Sequence, residues 1–73
     1  MNDHPNKHIR EAVDYALVHG WRLRKSGPHA HAWGVLYCPF GGRGGCMRAV
    51  YSTPHNPEKH ARLIRWSVDA CPH

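Results

Sequence analysis

Long apolar runs are missing from this chain. Nothing in it approaches the roughly 18 consecutive apolar residues of a membrane-spanning helix, so no membrane role is expected. Acidic residues are scarce: five Asp and Glu face ten Lys and Arg, a formal net charge of +5. That surplus on a small surface points to RNA or another polyanion, or to an acidic protein, as the partner. Cysteine is sparse and odd in number, with only Cys38, Cys46 and Cys71. The opening Met1-Asn2-Asp3-His4-Pro5 lacks the basic-then-apolar pattern of a secretory leader. Together these argue against a disulfide framework and for a reducing, cytoplasmic setting. Repeats, low-complexity tracts and linkers are also absent, so the 73 residues read as one domain, 1–73. So short a chain buries a thin core, and a partner or a homo-oligomer fits as part of its stable state.

What is present suffices for a folded core. Hydrophobic residues make up 41% of the chain and three are Trp, a composition of globular rather than disordered proteins. From Asn6 to His19, Ile9, Ala12, Val13, Ala16 and Leu17 recur at helical spacing, with Lys7, Arg10, Glu11 and Asp14 opposite. Gly20 supplies the left-handed stop. Trp21 to Lys25 alternates, Trp21 and Leu23 on one face and Arg22 and Arg24 on the other, as a short half-buried strand does. Ser26-Gly27-Pro28 turns the chain, His29 to Cys38 reads as a second strand, residues 39–45 (PFGGRGG) as a glycine-rich loop, and Cys46 to Ser52 as a third strand. Asn56, Pro57 and Glu58 are a cap, a first helical residue and a favourable first-turn charge. They open a helix to about Ala70 that Pro72 ends. Ala61, Ile64, Val68 and Cys71 lie on one side of it, flanked by Leu63 and Trp66. The expected fold is α+β in the order α-β-β-β-α: a three-stranded antiparallel sheet with both helices on one face.

Pairing Cys38 with Cys46 sets a register for the hairpin. Tyr37 then faces Met47, Val35 faces Ala49 and Trp33 faces Tyr51. All six point to one face and all are apolar or aromatic, so this face is expected to lie under the helices, and a one-residue slip would lose the match. His29 and His31 continue the same face. His55 and Asn56 follow directly on the third strand. His29, His31, His55 and the start of the second helix are therefore expected to converge.

Such a cluster has a definite chemistry. Histidine takes and returns a proton near neutral pH. RNA carries its own nucleophile, the 2′-hydroxyl, which one placed imidazole can deprotonate without a metal. A helix N-terminus offers N–H donors to a phosphate. Lys25, Arg24 and Arg48 supply positive charge for the backbone and the transition state. Trp33 or Trp21 offers a plane on which an unpaired base stacks. His29, after a Gly-Pro turn at the mouth of the sheet, is the candidate catalytic residue. Lys25, Arg24, His31, Trp33, Arg48, His55 and Asn56 are candidate RNA contacts. His31 reads also as a packed histidine bonded to a carbonyl, and His55 first as a brace of the helix start. His4, His8, His19, His60 and His73 read as surface residues.

A metal is the rival use of these side chains, since Cys38 and Cys46 flank the glycine loop as half a zinc site would. The seven residues from His31 to Cys38 span roughly 23 Å at strand rise, too far to share an ion. Cys71 brings the cysteines only to three, so thiols or a cross-strand disulfide are preferred to a metal, and no cofactor is expected. The glycine loop lacks the Gly-Lys-Ser/Thr ending of a phosphate-binding loop.

Three short motifs, in order and at plausible spacing over most of the chain, carry a resemblance: His19-Gly20-Trp21, Gly27-Pro28-His29 and Thr53-Pro54-His55-Asn56. The chain resembles the HicA toxins, small mRNA interferases of toxin–antitoxin pairs. That resemblance implies a double-stranded-RNA-binding-domain-like fold, metal-independent endoribonuclease activity on mRNA with His29 as catalytic histidine, and inhibition by a HicB-like antitoxin protein. A non-catalytic RNA-binding module of the same fold is the alternative. The chain departs from the family pattern in three places: Pro28 stands where Ser is usual, cysteines flank the glycine loop, and the last helix lacks the Leu-Lys-rich pattern.

Overall fold

The computed structural model describes residues 4–27, 32–40 and 45–72. Its elements are α1 (Lys7–Val18), β1 (Arg22–Lys25), β2 (Gly34–Tyr37), β3 (Met47–Val50) and α2 (Pro57–Ala70). The strands form one antiparallel sheet in the order β1-β2-β3, with β2 central. This is the α-β-β-β-α order expected from the sequence.

Local chemistry accounts for the helix limits. The side-chain oxygen of Asn6 accepts from the amides of His8 and Ile9 at 3.0 and 3.2 Å, capping α1. At the other end Gly20 takes φ 89°. The amides of Gly20 and Trp21 fold back onto the carbonyls of Leu17 and Ala16, so the chain leaves the helix with the Trp21 ring turned into the core. Asn56 caps α2 through a 3.1 Å bond from the amide of Lys59, with Pro57 at the first helical position.

The hairpin register is the one expected, with Val35 opposite Ala49 and Tyr37 opposite Met47. The face is the opposite one. Leu36, Cys38 and Val50 are buried beneath the helices with Gly34, whereas Val35, Tyr37 and Ala49 are half-buried on the open face and Met47 is 60% exposed there. The hairpin alone offers two acceptable faces, and β1 chooses between them. Leu23 lies opposite Leu36, while Arg22 and Arg24 lie opposite Tyr37 and Val35. Covering the Tyr37 face would bury two guanidinium groups without partners, which is far costlier than exposing one methionine. Gly34 permits the close approach of β1, since a Cβ there would stand 3.0 Å from the Arg24 carbonyl oxygen.

The core is Ile9, Ala12, Val13 and Ala16 from α1, Trp21, Leu36, Cys38 and Val50 from the sheet region, and Ala61, Ile64 and Val68 from α2. Arg48 also faces the helices. Its Nε donates to Ser67 Oγ at 2.7 Å and Ser67 Oγ donates to the Leu63 carbonyl at 2.9 Å, so this charge enters the interior with a partner. Tyr15 Oη donates to Asp69, joining α1 to α2.

Both long strands are shorter than the pattern suggests. β3 stops at Val50 rather than Ser52 because the backbone of Tyr51 is committed to side chains. Its carbonyl accepts from His4 Nε2 at 2.9 Å and its amide donates to His60 Nε2 at 3.1 Å. A residue whose two main-chain groups are so held cannot extend a ladder.

Candidate functional site

β1 leads into the residues on which the functional expectation rests. His29 and His31 lie outside the described residues. Lys25 ends β1, with Nζ 4.6 Å from the centre of the Trp33 ring, a cation–π contact. Trp33 is half-buried against the core and meets the His4 ring edge-on at 4.7 Å. Arg24 is exposed on the open face of the sheet. His55 is exposed, and Asn56, also exposed, spends its side-chain oxygen on the helix cap. Arg48 is turned under α2 toward Ser67, away from the surface that carries Arg24. Lys25 and Trp33 thus stand together, Arg24 lies beside them on the opposite face, and Arg48 does not join them.

The same end of the sheet contains a polar cluster built on two histidines, His4 and His60, that read from the sequence as surface residues. His4 is fully buried. Its Nδ1 accepts from the Asn6 amide at 3.0 Å, and its Nε2 donates to the Tyr51 carbonyl. These partners together require the neutral Nε2–H tautomer. His60, in the first turn of α2, receives the Tyr51 amide and lies 5.5 Å from the Tyr51 ring. Burial holds its pKa below the ordinary 6.5, and the nearby Arg48 charge pushes the same way. The N-terminal segment, β3 and α2 therefore converge on Tyr51. No local signal marks His4, because its partner is 47 residues away. His60, one turn after a cap, reads as surface by periodicity.

A second cluster occupies the opposite end of the hairpin. Cys38, Cys46 and Cys71 are thiols, and their sulfur atoms all lie within 4.8 Å of one another. Cys38 is buried and the other two are half-buried. The Cys46 amide donates to Cys38 Sγ at 3.1 Å. A hydrogen bond with Cys71 holds the Cys46 proton in place and, with burial and the two neighbouring sulfurs, pushes its pKa up to about 11. Of the described residues, these three are the group whose spacing and chemistry suit a metal ion.

Among the described residues no helix is long and apolar enough to cross a membrane. The chain matches no family model, no curated protein and no solved structure.

Proposed function

We propose that this chain is an RNA-directed domain of the HicA kind: an endoribonuclease that cuts mRNA with His29 as its catalytic histidine, under the control of a HicB-like antitoxin. The observation that carries this reading is β1. It is an edge strand, three of its four residues are cations (Arg22, Arg24 and Lys25), all three are exposed, and it runs directly into the segment that holds His29. The α-β-β-β-α order adds support, because it is the fold the resemblance implies. In the chemistry proposed, His29 takes the proton of a 2′-hydroxyl and the 2′-oxygen attacks the adjacent phosphorus. The bond to the 5′-oxygen breaks, and that oxygen leaves as a hydroxyl once it is protonated. The products are a 2′,3′-cyclic phosphate and a 5′-hydroxyl end. Cations along β1 hold the strand and offset the charge gathered on phosphorus.

End-labelled single-stranded RNA incubated in EDTA with wild type and with His29→Ala tests the reading, circular dichroism showing both proteins folded. Cleavage by the wild type alone, leaving a cyclic phosphate, is expected. Equal cleavage by both proteins removes His29 from the role.

A second reading, a non-catalytic RNA-binding module, is favoured by the open sheet face. There Tyr37 and Val35 lie beside Arg22 and Arg24, a platform of aromatic and cationic groups independent of any histidine. It predicts that His29→Ala leaves binding intact and that neither protein cuts.

A further inference from the structure

The three thiols stand apart from the RNA-directed end and have no part in the reaction proposed above. Cys38 follows β2, Cys46 precedes β3, and Cys71 caps the C-terminal end of α2. We propose that Cys38, Cys46 and Cys71 form a binding site for one thiophilic metal ion, zinc in a reducing setting, which ties the end of α2 to the closed end of the hairpin.

Number and spacing favour an ion over a disulfide. A disulfide consumes two sulfurs and strands the third beside them, whereas one ion engages all three. Zinc–sulfur bonds of about 2.3 Å in a tetrahedron set ligating sulfurs about 3.8 Å apart. The three sulfurs already lie within 4.8 Å, so closing onto an ion takes side-chain movements of about 1 Å and no refolding. The Cys46 amide aimed at Cys38 Sγ is the kind of outer donor that stabilises a metal-bound thiolate.

The surroundings fit as well. One flank of the cluster is the groove lined by Met47, Arg48, Trp66 and Ser67. Three thiolates on a divalent ion leave a net charge of −1, which the Arg48 guanidinium in that groove offsets. A water molecule would complete the fourth position, as in zinc sites with three protein ligands. His73, two residues beyond Cys71, lies outside the described residues and is not needed for three-sulfur binding. The need for such a tie is physical: a domain of this size has little core to hold a terminal helix end, and structural metals serve that purpose in small folds.

The test uses the full chain, reduced and stripped of metal, titrated with Co2+ as a spectroscopic probe and then with Zn2+. Saturation at one ion per chain is expected, with thiolate-to-cobalt charge-transfer absorption that zinc abolishes. Cys71→Ser and Cys46→Ser, neither at a fully buried position, should each keep the fold by circular dichroism. Each should weaken zinc binding by at least about 100-fold, since outer-shell partners alone are worth 10–100-fold. Zinc should raise the melting temperature of the wild type and not of Cys71→Ser. Absence of charge-transfer absorption overturns the proposal. So does unchanged zinc affinity in Cys71→Ser and Cys46→Ser, which would place the metal on histidines instead.

Discussion

The imidazole of His4 is bonded to the backbone of Tyr51: Nε2 stands 2.9 Å from the carbonyl oxygen, across 47 residues of sequence. This bond anchors the segment ahead of α1 to the end of β3. Replacing His4 with Ala leaves the Tyr51 carbonyl and the Asn6 amide without their partner and opens a cavity beside Trp33. The expected cost is about 2–3 kcal/mol. Urea unfolding should show a lower midpoint at unchanged slope, and a loss under about 0.5 kcal/mol would contradict a structural role for this ring.

Arg48 and Ser67 form a second tie, from sheet to α2. Arg48→Ala leaves the Ser67 hydroxyl still bonded to Leu63, whereas Ser67→Ala leaves a half-buried guanidinium without that acceptor. Each substitution should cost about 1–2 kcal/mol. Because the two residues share one bond, the double variant should cost less than the sum, a coupling of about 1 kcal/mol in a double-mutant cycle. Strict additivity would show the bond to be energetically idle.

His60 gives the fold a pH dependence of known sign. Its folded pKa lies below the ordinary 6.5, through burial first and Arg48 second. Above pH 6.5 the neutral ring is bound in the folded state and unprotonated in the unfolded one, so it contributes no slope. As pH falls below 6.5 the unfolded chain takes up the proton first, and stability declines until the folded ring also protonates. Denaturation between pH 8 and pH 5 should show this decline, and His60→Gln should flatten it relative to wild type. An identical pH profile in the variant would remove His60 as the cause.

Asn56 is a cap before it is anything else. Asn56→Ala should cost about 1 kcal/mol, and Asn56→Asp, which keeps the accepting oxygen, close to nothing. If the amide group also contacts RNA, Asn56→Asp should weaken RNA binding while melting like the wild type. Equal affinity would confine Asn56 to the helix start.

The cations divide by location. Arg24→Ala and Lys25→Ala, on exposed β1, should each lower the slope of log affinity against log salt by about 1. Arg48→Ala should leave that slope unchanged and act on stability alone, because its guanidinium is directed at Ser67. A fall in salt slope for Arg48→Ala equal to that for Arg24→Ala would place Arg48 on the RNA.

Much of the frame was legible without coordinates, because its determinants are local. The caps at Asn6 and Asn56, the stop at Gly20 and the 3.6-residue spacing of Ile9, Val13 and Ala16 act within one or two turns. The hairpin register follows from matching pairs a few residues apart across one loop. Even the covered face was decidable in principle. The Leu23 and Arg24 alternation of β1 chooses it, but only once Leu23 is known to lie opposite Leu36, which is a tertiary pairing.

What depended on distant partners was decided by the tertiary structure alone. The burial of His4, the early end of β3 at Tyr51, the neutral imidazole of His60 and the turning of Arg48 toward Ser67 each join residues with no local sign of one another. The cysteines show the division most plainly. Sequence determines their number and that two flank one loop. Only the packing of α2 across the sheet brings the third sulfur to the other two, because the position of a helix end is set by the core it covers and not by its own residues.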